Sequence, residues 1–146
     1  MSLDAIRKVH AQTVEALMME LSHIAHRLTS SEEQYRAMEI QIQKDAEAYG
    51  QQTSQGLTIE DLLQWQGKME AQRAALRHVR VTIDHTADLW EQTKERLVEA
   101  RQECKLLERV AERRQTAVRA AMARREQGAA DEAASRQVSA RGGGES

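Results

Sequence analysis

The sequence predicts an all-α protein, a long antiparallel two-helix coiled-coil hairpin with an overhanging C-terminal helix. Two segments carry an apolar repeat of the same period, a short polar stretch separates them, and the chain contains no proline. A repeat of about 3.5 residues keeps apolar side chains on one seam of a helix, which is the requirement of a coiled coil. Two such helices joined by a short loop favour an antiparallel hairpin.

The longer repeat runs from Leu62 to Ala121 and does not change phase. Its positions are Leu62, Trp65, Met69, Gln72, Leu76, Val79, Ile83, Thr86, Trp90, Thr93, Leu97, Ala100, Cys104, Leu107, Ala111, Arg114, Val118 and Ala121. The first fifty residues hold a matching repeat. Its positions are Leu3, Arg7, His10, Val14, Leu17, Leu21, Ile24, Leu28, Ser31, Tyr35, Met38, Ile42, Asp45 and Tyr49.

These patterns predict a first helix over residues 2–49, a loop over 50–57 and a second helix over 58–127. The loop has glycine near both ends, and Thr58 is a suitable N-cap for the second helix. Ser30 and Glu33 could start a new helix as a capping box, but the repeat crosses them in phase, so the first helix is predicted to be continuous. Residues 128–146 are small, polar and glycine-terminated, and we expect a disordered tail.

An antiparallel coiled coil places a positions opposite d positions, which suggests a register for the hairpin. One alignment with a short loop sets Ile42 opposite Trp65 and Leu17 opposite Trp90. The second helix is then longer than the first. We expect it to continue without an intramolecular partner from near Lys105.

Composition argues against an enzyme. Aromatic residues make up 3% of the 146-residue chain, and two paired helices enclose no cleft for a small molecule. Phosphate-binding, metalloprotease and nucleophile motifs are absent from the sequence, so we predict no catalytic residue and no cofactor. The histidine pairs His23/His26 and His78/His85 lack a third ligand, which favours exposed helix surface over a metal site. A single cysteine and no long apolar run suit a cytoplasmic protein that is not inserted in the membrane.

Positive charge is concentrated in the last third of the chain. Residues 1–100 carry 11 basic and 16 acidic side chains, whereas residues 101–146 carry 10 and 7. The cluster consists of Arg109, Arg113, Arg114, Arg119, Arg124 and Arg125. An acidic protein partner fits it better than nucleic acid, because stacking aromatics are missing. The alternative is a solvated helix whose arginines pair with Glu108 or Glu112.

Large side chains also cluster near the predicted loop. Tyr49, Trp65 and Met69 are all repeat positions, so they are either ordinary seam residues or anchors for a binding partner. Both interpretations stay open at this point.

Several short motifs follow one another along the chain. They are the turn Gly56-Leu57-Thr58, the step Trp65-Gln66, the segment from Lys105 to Arg114, and the ending Arg124-Arg125-Glu126-Gln127 followed by Asp131-Glu132. In their order and spacing these motifs resemble the FliJ family of flagellar type III export proteins and the related stalk proteins of injectisomes. The resemblance covers nearly the whole chain.

The resemblance implies a central stalk similar to the γ subunit of rotary ATPases. Such a protein binds the export ATPase hexamer, promotes its activity, and connects it to the export gate membrane protein and to export chaperones. It implies a cytoplasmic location peripheral to the inner face of the cell membrane. A generic coiled-coil scaffold or tether without ATPase contact is the alternative.

Two sets of residues are assigned as candidate partner-binding sites under this hypothesis. The set expected to face the ATPase is Arg113, Arg114, Arg124 and Arg125. The set at the hairpin tip expected to face the gate is Tyr49, Leu57, Trp65 and Gln66.

Overall fold

The computed structural model describes residues 2–143 and contains two helices, α1 over Leu3–Gln55 and α2 over Ile59–Gly143. Gly56, Leu57 and Thr58 connect them. The predicted all-helical class is confirmed. Helix α1 also runs without a break through Thr29, whose hydroxyl donates a hydrogen bond of 3.0 Å to the Ala25 carbonyl.

Side chains cap the start of each helix. The Ser2 hydroxyl accepts a hydrogen bond of 3.2 Å from the Ala5 N–H. At α2 the Thr58 hydroxyl accepts from the Asp61 N–H at 3.1 Å, while the Asp61 carboxylate accepts from the Thr58 N–H at 3.4 Å. This reciprocal pair satisfies two N–H groups that a helix start leaves free, and it defines where α2 begins.

Helix α1 is longer than the sequence predicts, so the predicted loop over 50–57 is reduced to three residues. The chain continues as helix through Gly50 to Gln55 and turns only at Gly56, which has a φ of 97°. Glycine adopts this left-handed region without the steric cost that a Cβ atom brings. Hydroxyls of Thr53 and Ser54 donate to carbonyls one turn earlier, which is compatible with continued helix.

Helix α2 also ends later than predicted. It passes residue 127 and continues to Gly143, whereas a disordered tail over 128–146 was expected; residues 144–146 lie outside the described residues. Four alanines lie within residues 129–134, and alanine is the strongest helix former. Glu132 and Arg136 add an ion pair at 3.9 Å along the helix. The small residues that suggested a disordered tail are therefore part of a helix in this structure.

The chain divides into two compact units, and one of them comprises Gln12–Ala100. Within it the two helices pack antiparallel around a line of side chains. The cluster of Leu17, Leu97 and Ala100 has Val14 and Leu21 packed against it. Predicted seam positions from Val14 to Tyr49 in α1, and from Trp65 to Ala100 in α2, are all buried or half-buried. The predicted seam is confirmed at these positions.

The predicted register is wrong by one heptad. Trp65 stacks on Tyr49 instead of facing Ile42, and Leu17 packs with Leu97 instead of Trp90. Both alignments place the a positions of one helix opposite the d positions of the other, because the heptad repeat is unchanged by a shift of seven residues. The longer α1 and shorter turn select the observed one.

The second unit joins the chain up to Ala11 with the chain from Arg101 onward. The seam positions Cys104, Leu107 and Ala111 are half-buried, and every residue from Glu112 to Gly142 is exposed. Half-buried seam positions therefore continue past Lys105, where an unpaired segment was predicted to begin. This difference follows from the register, because sliding α1 by one heptad covers seven more residues of α2. Residues 112–142 are called the C-terminal segment below.

The two glycines near the turn give a direct test of the observed helix end. Replacing Gly50, which is helical and has open space around its Cβ position, with alanine should stabilise the hairpin by roughly 0.5–1 kcal/mol. Replacing Gly56 with alanine should destabilise it by about 1–2 kcal/mol, because its φ is positive. Urea unfolding followed by circular dichroism measures both. A destabilising Gly50→Ala substitution would show that the helix ends before residue 50.

Candidate functional site

The hairpin tip brings two of the predicted binding residues into contact. The rings of Tyr49 and Trp65 stack with centroids 4.5 Å apart and an interplanar angle of 4°. Both rings are half-buried, as expected for the seam. Leu57 is half-buried in the turn, and Gln66 is exposed on α2. The stack therefore closes the end of the seam, and only part of each ring is available to a partner.

The most exposed apolar surface of the tip lies outside the predicted set. Ile59 and Leu63 are 78% and 60% exposed, and Leu62 is exposed as well. With Gln66 they follow the spacing of one helix face over the first two turns of α2. The sequence contained this signal, but the repeat assigned Leu62 to the seam and gave the other two no place. Exposed apolar side chains that share a helix face are typical of a protein-binding surface.

A polar cluster lies beside the aromatic stack. The Asp45 carboxylate is 3.4 Å from the Lys68 ammonium, and it accepts hydrogen bonds from the side-chain amides of Gln72 and of Gln41, the latter at 3.0 Å. The Gln72 amide oxygen is buried and has no hydrogen-bond partner within the described residues. Together with the stack, Asp45 and Lys68 line a shallow groove at the tip.

These contacts stabilise the ionised form of Asp45. The hydrogen bond from Gln72 lowers the pKa of Asp45 most, and Gln41 and Lys68 lower it further, while partial burial acts in the opposite direction. The net effect is a pKa below the ordinary aspartate value. Asp45 therefore carries its negative charge inside the seam.

The four predicted arginines lie in the C-terminal segment and are all exposed. Arg113 and Arg124, like Arg114 and Arg125, are separated by eleven positions, which is close to three helical turns and places each pair on one side of α2. None of the four forms an ion pair within residues 2–143. Within residues 2–143, these four arginines therefore do not form the ion pairs with Glu108 or Glu112 that the alternative interpretation predicts.

Apolar side chains accompany these arginines. Val118 and Met122 are 58% and 57% exposed and lie one turn apart on α2. Val118 continues the seam in phase after Ala111 and Arg114. Arginine combined with exposed apolar and methionine side chains is characteristic of protein interfaces.

The histidine pairs lie on the surface of the two helices. His23, His26, His78 and His85 are exposed, and the part of the chain that the structure describes has no group of three or more possible metal ligands. Neither helix, over the described residues, has a stretch long and apolar enough to cross a membrane.

The lowered pKa of Asp45 predicts how the stability of the hairpin depends on pH. The stabilisation from the ionised carboxylate is fully present above the usual aspartate pKa of about 3.9. It is lost as the pH falls through the lower pKa of the folded chain. Urea unfolding measures the free energy of unfolding at pH 7 and at pH 3. The decrease from pH 7 to pH 3 should be smaller for Asp45→Asn than for the unmodified chain.

The matched control for this measurement is Asp88→Asn, which changes an exposed aspartate outside the ion pairs described for residues 2–143. It should leave the pH dependence of the unmodified chain unchanged. Equal pH dependence in all three chains would contradict the stabilising role of ionised Asp45.

Comparison with known proteins agrees with the resemblance. A family model described as "Flagellar FliJ protein" matches residues 1–143, which include both helices, the tip and the arginine-bearing segment. No curated protein and no solved structure matches the chain. Because the family match extends over nearly all of the 146 residues, the chain belongs to the FliJ family of flagellar proteins, which implies a role related to flagellar protein export.

Proposed function

We propose that this chain is the central stalk of a flagellar type III export apparatus, which binds the export ATPase hexamer, promotes its activity and connects it to the export gate. It supplies no catalysis of its own. The observation that carries the proposal is the set of exposed, unpaired arginines on the C-terminal segment of α2, within residues 2–143. The family match supports the export context.

The C-terminal segment is suited to insertion into a ring. A single helix with its side chains is about 10–12 Å wide, which is narrow enough for the central opening of a hexamer. In the proposal this segment extends beyond the start of α1 as an unpartnered helix, which the exposure of all its side chains supports. An isolated helix is marginally stable in water, so contact with a partner would stabilise it.

Charge determines which partner surface the segment would face. Arg113, Arg114, Arg124 and Arg125 present donors that match carboxylates in a bidentate geometry. We assign them to an acidic surface inside the ATPase hexamer. Val118 and Met122 would add apolar contact there.

The hairpin tip is assigned to the cytoplasmic part of the export gate membrane protein. Tyr49, Leu57, Trp65 and Gln66 belong to this proposed surface. Ile59 and Leu63 join it, because they expose the largest apolar area next to Gln66. Export chaperones are the remaining proposed partners. The protein would act in the cytoplasm, peripheral to the inner face of the cell membrane.

A coiled-coil scaffold without ATPase contact would pair its seam with a second chain. Here the seam residues from Trp65 to Ala100 are already covered by α1 of the same chain. A scaffold should dimerise at low micromolar concentration, whereas the stalk should remain a monomer. Molar mass measured against concentration separates the two.

Charge reversal tests the ATPase assignment. The fourfold variant R113E/R114E/R124E/R125E should lose stimulation of the purified export ATPase and bind it roughly tenfold or more weakly, because attraction to an acidic surface becomes repulsion. ATP hydrolysis with and without the chain measures the first effect, and a pull-down measures the second. Circular dichroism should show that helix content is retained.

The chain offers a matched control with the same change of charge. Arg27, Lys44, Arg73 and Arg77 are exposed, lie in Gln12–Ala100 and form no ion pair within the described residues. The variant R27E/K44E/R73E/R77E should stimulate the ATPase normally. Full stimulation by the first variant, or equal losses in both, would contradict a specific role for the C-terminal arginines.

The tip assignment is tested by placing charge on its exposed apolar face. I59D/L63D should weaken binding to the purified cytoplasmic part of the export gate at least several-fold, because desolvating a carboxylate in an apolar contact is costly. Stability should change little, since both side chains are exposed. Val81→Asp, at a position 66% exposed elsewhere on α2, is the control and should bind normally. Unchanged binding of I59D/L63D would refute the assignment.

A further inference from the structure

The apolar repeat of this hairpin is compatible with two registers one heptad apart. In the observed register Tyr49 meets Trp65. In the other register Ile42 would meet Trp65, Met38 would meet Met69 and Leu28 would meet Val79, all of which are apolar pairs at seam positions. Apolar periodicity alone therefore distinguishes the two registers weakly.

The end of α1 is built in a way that would permit the second register. Residues from Gly50 to Gln55 are helical, yet all of them are exposed and none contributes a side chain to the seam. Gly50 in a helix interior also costs about 1 kcal/mol relative to alanine. Unwinding this last part of α1 would expose no buried apolar surface and would lengthen the turn by the residues that a slipped register needs.

Polar contacts between the helices differ sharply between the registers. In the observed one, Asp45 lies against Lys68 and Gln72. One heptad away the residues at the equivalent places are Asp61 and Trp65, so the Asp45 carboxylate would meet a like charge and an indole. An interhelical like-charge pair disfavours a register just as a matched pair favours it.

A second ion pair behaves in the same manner. The Glu20 carboxylate is 3.9 Å from the Arg96 guanidinium in the observed register. After a slip of seven residues Leu89 would occupy the place of Arg96. This exposed pair contributes little by itself, and the same holds for the partly exposed contact between His10 and Glu103. The Asp45 side chain is only 13% exposed, so Asp45 carries most of the discrimination.

One feature of the observed register destabilises that register. The Gln72 amide oxygen is buried without a hydrogen-bond partner within the described residues. Leaving a buried acceptor unsatisfied has a free-energy cost. The polar cluster at Asp45 thus stabilises the register and at the same time leaves one of its own members incompletely bonded.

We propose that the hairpin has a second accessible register one heptad away, and that Asp45, through Lys68 and Gln72, selects the observed one. A slip of seven residues displaces α1 along α2 by about 10 Å. It also separates Tyr49 from Trp65, so the register determines which side chains the tip presents. The two registers are the two states of a conformational device built into the hairpin.

Distance measurement between spin labels reports the register directly. Labels at Ser22→Cys and Glu70→Cys, in a Cys104→Ala background, lie on exposed positions of the two helices within Gln12–Ala100. A slip to the second register would shorten their separation by about 10 Å. The otherwise unmodified chain should give one dominant distance.

The decisive variant is Asp45→Lys, which places a lysine against Lys68 in the observed register and against Asp61 in the slipped one. It should raise the population with the shorter distance roughly tenfold or more, because the preference between like and unlike charges is inverted. D45K/D61N should reverse this increase, since the new partner is neutralised. Asparagine keeps a side-chain oxygen that can cap the Thr58 N–H, so α2 should still start normally.

The matched control is Glu39→Lys, which makes the same charge change at an exposed position of α1. It should leave the distance distribution unchanged. The proposal is overturned if Asp45→Lys keeps the single long distance. It is also overturned if Asp45→Lys loses its helical circular dichroism signal, because the second register would then not be accessible.

Discussion

The three-residue turn from Gly56 to Thr58 decides which residues of the two helices meet. Its positive φ at Gly56 reverses the chain, and the reciprocal hydrogen bonds of Thr58 and Asp61 start α2 at once. The aromatic stack and the Asp45 cluster both depend on this turn, because a longer loop would bring different residues together. It also determines how far along α2 the covered seam extends, which is to Ala111.

A fold with one line of buried side chains has consequences for function. Most side chains outside the seam are exposed along both helices, and the buried side chains within residues 2–143 follow the seam. Exposed apolar groups and unpaired charges on such helix surfaces are suited to binding protein partners. The tip exposes Ile59 and Leu63, and the C-terminal segment exposes the four arginines.

Much of this architecture could be predicted from the sequence, because a repeat of about 3.5 residues specifies which face of each helix is buried. Every seam position from Val14 to Tyr49 is buried or half-buried as predicted. The register could not be predicted in the same way, since a heptad repeat is unchanged by a shift of seven residues. Two glycines, Gly50 and Gly56, offered a turn, and only the backbone conformation shows that Gly56 makes it.

The candidate sites were predictable to different degrees. The arginines stand out in the sequence as a local excess of charge, although their lack of ion pairs depends on side-chain positions. Tyr49 and Trp65 were correctly expected near the loop, and their direct stacking follows from the observed register. Ile59 and Leu63 were missed because they lie outside the seam, where periodicity makes no assignment. The helical state of residues 128–143 was missed because an alanine-rich polar stretch has the composition of both an exposed helix and a disordered tail.

The proposed overhang requires that α1 of the same chain covers the seam of α2 as far as Ala111 and no further. Hydrogen–deuterium exchange of the isolated chain, resolved along α2 by mass spectrometry, tests this directly. Amides between Trp65 and Ala111 should be protected, whereas those of the C-terminal segment should exchange much faster, because an uncovered helix opens readily. Equal protection along the whole of α2, or no protection before Ala111, would contradict this extent of helix pairing.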